Sequence, residues 1–311
     1  MAEKVSTTTT DLLGWNINGG GYDRRHVFDS GPIDPDSMIP EREAAIKAFI
    51  DQQRKDGIDS AALIDAYGWQ QRYDSDSGIA QHLGFSAARF ALLADDRIDR
   101  VLGPGAGLVF ATDHSIEASG PIDLDNRQGL GAIINLGGRA LQIATVYFDD
   151  MSEDVRLKQI RALLHNLEKE PTIIVGDLNS LRPDMHGASL STRVHDIGFR
   201  TLAFSFAFIP SKAAIEPVLE IIGRGELAAK ADYYKRAVRG LNRRQIIPAL
   251  EQQGWHDADP QKQPTFHKLG GLALNVDYVF SNSEVTTSDF RVIPSDGASD
   301  HDAIRVRASI V

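Results

Sequence analysis

The chain contains no cysteine. Disulfides, thiolate metal sites and a cysteine nucleophile are therefore excluded, and any site chemistry must rest on carboxylates, amides, hydroxyls and imidazoles. No apolar run reaches the length of a membrane span. Met1 to Thr10 is polar and threonine-rich and lacks the apolar centre of a signal peptide. It reads as a disordered N-terminal tail, and the chain reads as cytoplasmic with no membrane span. Positive charge is scarce: 33 Lys and Arg stand against 43 Asp and Glu, a net charge of −10. That balance disfavours a broad electrostatic grip on a polyanion, although a local basic patch or a bound divalent cation would offset part of it. The chain also lacks internal repeats, and no low-complexity tract extends beyond Thr7 to Thr10.

What is present is a succession of short apolar runs separated by turns. Asp11 to Asn18, Asp59 to Ile64, Gly107 to Ala111, Gly131 to Asn135, Leu141 to Tyr147, Pro171 to Val175, Leu272 to Ser281 and Ala303 to Ile310 read as strands. Glu41 to Arg54 has helical spacing, with Ala45, Ile46, Phe49 and Ile50 on one stripe. Ser152 to Lys169 reads as an amphipathic helix, opened by Ser152-Glu153-Asp154 and turning Val155, Ile160, Leu163, Leu164 and Leu167 inward. Strand pairs with few helices between them favour two sheets packed face to face with helices outside. Gly103-Pro104-Gly105-Ala106-Gly107 leads into a strand instead of linking a strand to a helix, so it is no dinucleotide fingerprint. Between about Asp184 and Gln245 the strand rhythm stops. That stretch reads as an inserted helical cap, too thin in apolar residues for a core of its own. Within it, Lys235, Arg239 and Arg243 share a helical face, either a guide for anionic substrate or a solvated surface.

Polar groups cluster where the apolar runs end. Asn16 closes the first strand; its amide suits a carboxylate or phosphate oxygen, or a turn before Gly19. Asp65 follows Ala61-Ala62-Leu63-Ile64 as a hard oxygen ligand or a helix cap. In Gly176-Asp177-Leu178-Asn179-Ser180, period-two alternation sends Asp177 and Asn179 to one side, one suited as a base and the other as a neutral donor. Asp277 sits within an apolar strand and needs a charged or donating partner, for which His301 is the available candidate, unless Asp277 lies on an exposed edge. Ser299-Asp300-His301 opens the last strand with a carboxylate beside an imidazole. Tyr147 ends another strand, as a phosphate contact or a core residue. His26, His82, His114, His165, His186 and His195 occupy polar or helical settings and read as solvated.

Trp15-Asn16-Ile17-Asn18, Leu63-Ile64-Asp65, Gly176-Asp177-Leu178-Asn179-Ser180, Asp277-Tyr278-Val279-Phe280 and Ser299-Asp300-His301 stand in the order found in the endonuclease/exonuclease/phosphatase superfamily, the exonuclease III- and deoxyribonuclease I-like enzymes. The chain resembles that family from Asp11 to Val311, apart from the inserted cap. The resemblance implies a four-layer α/β/β/α sandwich of two mostly antiparallel sheets with the site at one end. It implies Mg²⁺ or Mn²⁺ held by Asn16 and Asp65, joined by Asp300. It implies Asp177 acting on the attacking water, Asn179 donating to phosphoryl oxygens, and His301, oriented by Asp277, stabilising the phosphorus centre or moving a proton. Two positions depart from the pattern. The family has Glu where Asp65 stands, and at Tyr147, where many members place His and exonuclease III-like members Tyr, the following Phe148-Asp149-Asp150 does not continue the exonuclease pattern. The function implied is metal-dependent hydrolysis of a phosphoester, a phosphodiester in the first place, with nucleic acid among the candidate substrates. The alternatives are a phosphomonoesterase of the same family and a non-catalytic binding protein that kept the fold.

Overall fold

Continuous apolar runs such as Ser60–Ile64 are buried at every position, which requires a sheet covered on both faces. The computed structural model describes residues 8–20, 39–94, 105–149, 152–167, 170–181, 244–269 and 272–311, and in it that requirement is met by two sheets. In chain order the elements are β1 (Thr9–Asn16), α1 (Pro40–Lys55), β2 (Ser60–Ile64), α2 (Trp69–Tyr73), α3 (Asp76–Leu83), β3 (Ala87–Leu92), β4 (Gly107–Thr112), β5 (Ile116–Asp123), β6 (Gln128–Leu136), β7 (Arg139–Tyr147), α4 (Glu153–Asn166), β8 (Thr172–Asp177), α5 (Ile246–Gln252), β9 (His256–Asp257), β10 (Phe266–Leu269), β11 (Leu272–Leu274), β12 (Asp277–Ser281), β13 (Val285–Ile293) and β14 (Ala303–Ile310).

One six-stranded sheet has the order β13-β14-β1-β2-β4-β3 and the other β5-β6-β7-β8-β12-β9, while β10 and β11 form a separate hairpin. Parallel pairing occurs between β1 and β2 and between β7 and β8; the other pairings are antiparallel. Alternation along each strand divides the core into three. Leu12, Ile64, Phe110, Ile143, Val175, Val279 and Ile304 meet between the sheets. Leu13, Leu63 and Val109 face Ile46, Ile50, Ile79 and Leu83 of α1 and α3. Val146, Ile174 and Phe280 face Ile160 and Leu163 of α4 and Ile246 and Leu250 of α5. The result is an α/β/β/α sandwich, as the strand pattern predicts.

Several boundaries differ from the sequence reading. Thr9 and Thr10 pair with Ser309 and Ala308, so they belong to β1 and not to the tail. The run 272–281 is broken, because Val276 and Asp277 turn their N–H groups to the Thr265 hydroxyl at 3.4 and 3.2 Å. Helix α4 starts where expected, with the Ser152 hydroxyl accepting from Val155 N–H. Its buried face, however, is Glu153, Arg156, Gln159, Ile160 and Leu163, while Val155 is only half-buried. The first turn of α4 covers a polar loop, not apolar core, which is why charged groups replace Val155 there. Residues 182–243, which hold nearly all of the predicted cap and its basic face, lie outside the described residues. No helix among the described residues is long and apolar enough to cross a membrane.

Candidate active site

The two sheets pinch together beneath one end of the sandwich. Gly14 in β1 faces Val175 in β8, and a Cβ on Gly14 would lie 2.6 Å from the Val175 side chain. Two residues further along each strand the same faces carry Asn16 and Asp177, and the Asn16 amide donates to Asp177 Oδ2 at 3.1 Å. Gly176 is required at its position. Its φ is +152°, and a Cβ there would lie 1.9 Å from the Val146 carbonyl oxygen of the neighbouring strand. The strand then turns at Asn179, φ 47°, whose N–H donates to Asp177 Oδ1 at 2.8 Å. Asn tolerates this left-handed conformation because its short side chain bonds locally. Here the Asn179 amide donates to the Phe148 carbonyl at 3.0 Å.

Asp277 is the register partner of Asp177 across β8 and β12, so both carboxylates face the inter-sheet side. His301 Nδ1 lies 2.8 Å from Asp277 Oδ2, the partnership the sequence suggests. The edge-strand alternative for Asp277 is excluded by its burial at 3% exposure. The same oxygen accepts from the Thr265 hydroxyl at 2.7 Å. The Phe266 ring packs on the imidazole with centroids 4.8 Å apart. The loop before His301 is stapled to the end of β1: Ser299 Oγ donates to the Asn16 carbonyl at 2.7 Å, and Trp15 Nε1 donates to the His301 carbonyl at 3.0 Å. Arg42 spans the two segments from α1, donating to the carbonyls of Asn18 and Ala298.

Electrostatics follow from this crowding. Burial raises the Asp177 carboxyl to about 7, helped by the Asp277 charge and opposed by His301, the Asn179 N–H and the Asn16 amide. Burial alone would lower the His301 imidazole. The charge and hydrogen bond of Asp277, with Asp177 and Asp300 behind them, outweigh it and hold the imidazolium up to about 9. The site therefore places a carboxyl poised near neutrality beside a protonated imidazole.

The remaining candidates lie at the border. Asp65 is buried, has φ 62°, and follows Ile64, the register partner of Asn16; its carbonyl accepts from Gly19 N–H at 3.0 Å. Asp300 is half-buried and near enough to His301 to raise its pKa. Tyr147 pairs in register with Asp177, is half-buried, and packs against the inter-sheet core beneath the Arg127 guanidinium, 5.0 Å from its ring centroid. Thr265, Phe266 and Arg127 are not legible as site residues in the sequence. A single Thr or Arg beside a strand carries no local mark, although Pro264-Thr265-Phe266 just ahead of an Asp-bearing strand is a weak one. His82 and His114 are not solvated: His82 stacks on Tyr73 with centroids 4.4 Å apart, and His114 Nε2 lies 3.2 Å from Asp59 Oδ2.

The residues fit a hard divalent cation. Side-chain atoms of Asp177, Asp277 and His301 all lie within 4.8 Å of one another, and with His301 held as an imidazolium it is the carboxylate oxygens of this group that suit such an ion. Asp277 Oδ1 is buried with no hydrogen-bond partner among the described residues, an acceptor with spare capacity in a carboxylate-rich setting. The geometric cluster thus joins residues read as catalytic, with Asn16 bonded directly to it and Asp65 and Asp300 flanking.

No family model matches the sequence, and no curated protein matches it. Solved structures do. An endonuclease/exonuclease/phosphatase from Beutenbergia cavernae DSM 12333 is similar over 97% of this chain and 72% of that one, with a TM-score of 0.57 at 15% identity. The human Nocturnin catalytic domain with bound sulfate anion matches over 97% and 94% of the two chains, with a TM-score of 0.55 at 14% identity. D. rerio TDP2 complexed with single strand DNA product matches over 97% and 99%, with a TM-score of 0.53 at 14% identity. The chain has the endonuclease/exonuclease/phosphatase fold.

Proposed function

We propose that the protein is a divalent-metal-dependent phosphoesterase that hydrolyses a phosphodiester by attack of an activated water. One observation carries this reading: Asp177, held by Asn16, lies beside a buried Asp277–His301 pair in which one carboxylate oxygen has no partner among the described residues. Mg²⁺ or Mn²⁺ would be held by Asn16, Asp65 and Asp300, and when bound it supplies neutralisation of phosphoryl charge. Asp177 takes the proton of the attacking water as the new oxygen–phosphorus bond forms, a role matched by a carboxyl near 7. Asn179 directs a neutral N–H to a phosphoryl oxygen. The His301 imidazolium, oriented by Asp277, donates to the phosphoryl group or protonates the departing oxygen as the second bond breaks. Tyr147, at the end of β7, borders the same space.

The fold shared with TDP2, whose complex holds a single strand DNA product, supports nucleic acid as a substrate class. The net charge of −10 favours short or single-stranded phosphodiesters over extended duplex. The test is an activity panel of single-stranded DNA, abasic DNA, RNA, phospholipid headgroups and sugar phosphates, with Mg²⁺, Mn²⁺ or chelator. Chelator-sensitive release of product from a diester supports the reading. Turnover of monoesters alone makes the protein a phosphomonoesterase, and no turnover with either metal makes it a binding protein. Asp65→Ala is expected to raise the metal concentration needed for half-maximal rate, and an unchanged requirement would move the ligand elsewhere.

A further inference from the structure

We infer that Arg127, a buried residue that reaches Asn179 only through the Phe148 carbonyl, is a positioning residue that sets the direction of the Asn179 amide; the inference rests on the phosphoesterase reading for its catalytic consequence only. Asn179 has two possible amide orientations, presenting either N–H or oxygen to a ligand. The Phe148 carbonyl decides between them. It accepts only, so Nδ2 must face it, and the second N–H is left to point outward. That carbonyl is itself held: Arg127 Nη1 donates to it at 2.7 Å and to the Tyr147 carbonyl at 3.3 Å. Both lone pairs of the Phe148 oxygen are thus engaged, one by Arg127 and one by Asn179.

The same guanidinium covers the Tyr147 ring at 5.0 Å. One side chain therefore governs two neighbours of Asp177. Arg127 is 2% exposed, which removes it from direct contact with substrate. Its charge is balanced by Asp149, 4.0 Å away and also buried. Asp149 is fixed in turn. Its N–H donates to Gln159 at 2.8 Å, its carbonyl accepts from Arg156 Nη1 at 2.6 Å, and its carboxylate accepts from Ser152 N–H at 2.7 Å. Arg156 completes its bonding on Glu153 at 2.9 and 2.7 Å. The polar first turn of α4 exists to clamp the 147–149 segment, and that segment carries the acceptor that orients Asn179.

The experiment compares wild type, Arg127→Lys, Arg127→Met and Arg127→Met/Asp149→Asn. The double variant removes the carboxylate that the single one would leave unpaired. Two readouts are taken: steady-state kinetics on the diester identified in the panel, and the Asn179 side-chain amide signals in ¹⁵N-labelled protein without substrate or metal. The expectation for the double variant is a loss in kcat of about 10- to 100-fold, the size typical of removing an orienting partner, with KM within about threefold. Its Asn179 amide protons are expected to shift and to exchange with solvent at least about tenfold faster. Arg127→Lys, which keeps charge and a donor but not the fork, is expected to lie between. A folded double variant with wild-type kcat, or with Asn179 signals unchanged, overturns the inference. Should Arg127→Met and the double variant not fold, Arg127→Lys is decisive: Asn179 signals and kcat both equal to wild type overturn it. If the wild type hydrolyses nothing in the panel, the phosphoesterase reading fails, while the amide signals still decide whether Arg127 sets Asn179.

Discussion

Two Asp–His pairs sit at opposite ends of strand β1, and they are built differently. At the finishing end, beside Asn16, Asp277 and His301 meet at 2.8 Å in a buried setting. At the starting end, beside Thr10, Asp59 and His114 meet at 3.2 Å with 30% and 19% of their side chains exposed. Asp59 is fully committed. Its Oδ1 accepts from the Thr10 hydroxyl at 2.5 Å and from Asp11 N–H at 3.1 Å, and its Oδ2 faces His114. Asp277 loads both of its donors, His301 and Thr265, onto Oδ2 and leaves Oδ1 unpartnered among the described residues. An Asp–His contact is therefore not what marks a site. What sets the finishing end apart is a carboxylate oxygen with spare acceptor capacity next to a second buried carboxylate, Asp177.

The largest effect tests the finishing end. Asp177→Asn is expected to lower kcat by about 10³-fold on the responsive diester while the fold is retained by circular dichroism. Next comes Asp277→Asn, expected to cost about 100-fold because His301 loses the partner that orients and charges it. A loss confined to a few-fold would erase the distinction between the two pairs.

The pH dependence sharpens it further. In divalent-free protein, NMR titration is expected to place Asp177 near 7 and His301 near 9. Both are raised above their ordinary values, so their contributions to stability are complete below those values and are lost as pH rises through the folded ones. For His301 the window runs from 6.5 to about 9, and for Asp177 from 3.8 to about 7. His82 works in the other direction. Burial lowers it from 6.5, so its contribution is present above 6.5 and fades as pH falls through the depressed value. Melting temperature measured across pH, with and without His82→Phe and His301→Gln, separates these windows. An His301 titration at its ordinary value would remove the electrostatic difference between the ends. The smallest effect belongs to the starting end. Asp59→Asn is expected to leave kcat within about twofold and to cost about 1 kcal/mol, or some 2–4 °C in Tm. A large activity loss there would mean that the two pairs serve one site.

Legibility in the sequence tracked burial. Strands β2 and β8, covered on both faces, are plain as apolar runs. Strands β5 and β13 leave no such mark, because Ile116–Asp123 and Val285–Ile293 are largely exposed at sheet edges and carry polar residues on both faces. Helices α2 and α3 are five and eight residues long, too short for a periodic stripe to emerge. The site residues Asn16, Asp177, Asp277 and His301 were readable because each interrupts an apolar strand end. Thr265 and Arg127 interrupt nothing, and their importance lies in partners 12 and 21 residues away.

Local order in the chain was enough to specify which buried segments become strands and which polar groups stand at their ends, since alternation and side-chain chemistry act over a few residues. Which carboxylate shares an amide with residue 16, which imidazole is charged, and which oxygen is left over were decided only when the sheets packed. Asn16 and Asp177 are 161 positions apart, and their 3.1 Å contact follows from the close approach of two sheets at Gly14. The pKa values follow from burial between those sheets, a property that no residue carries alone.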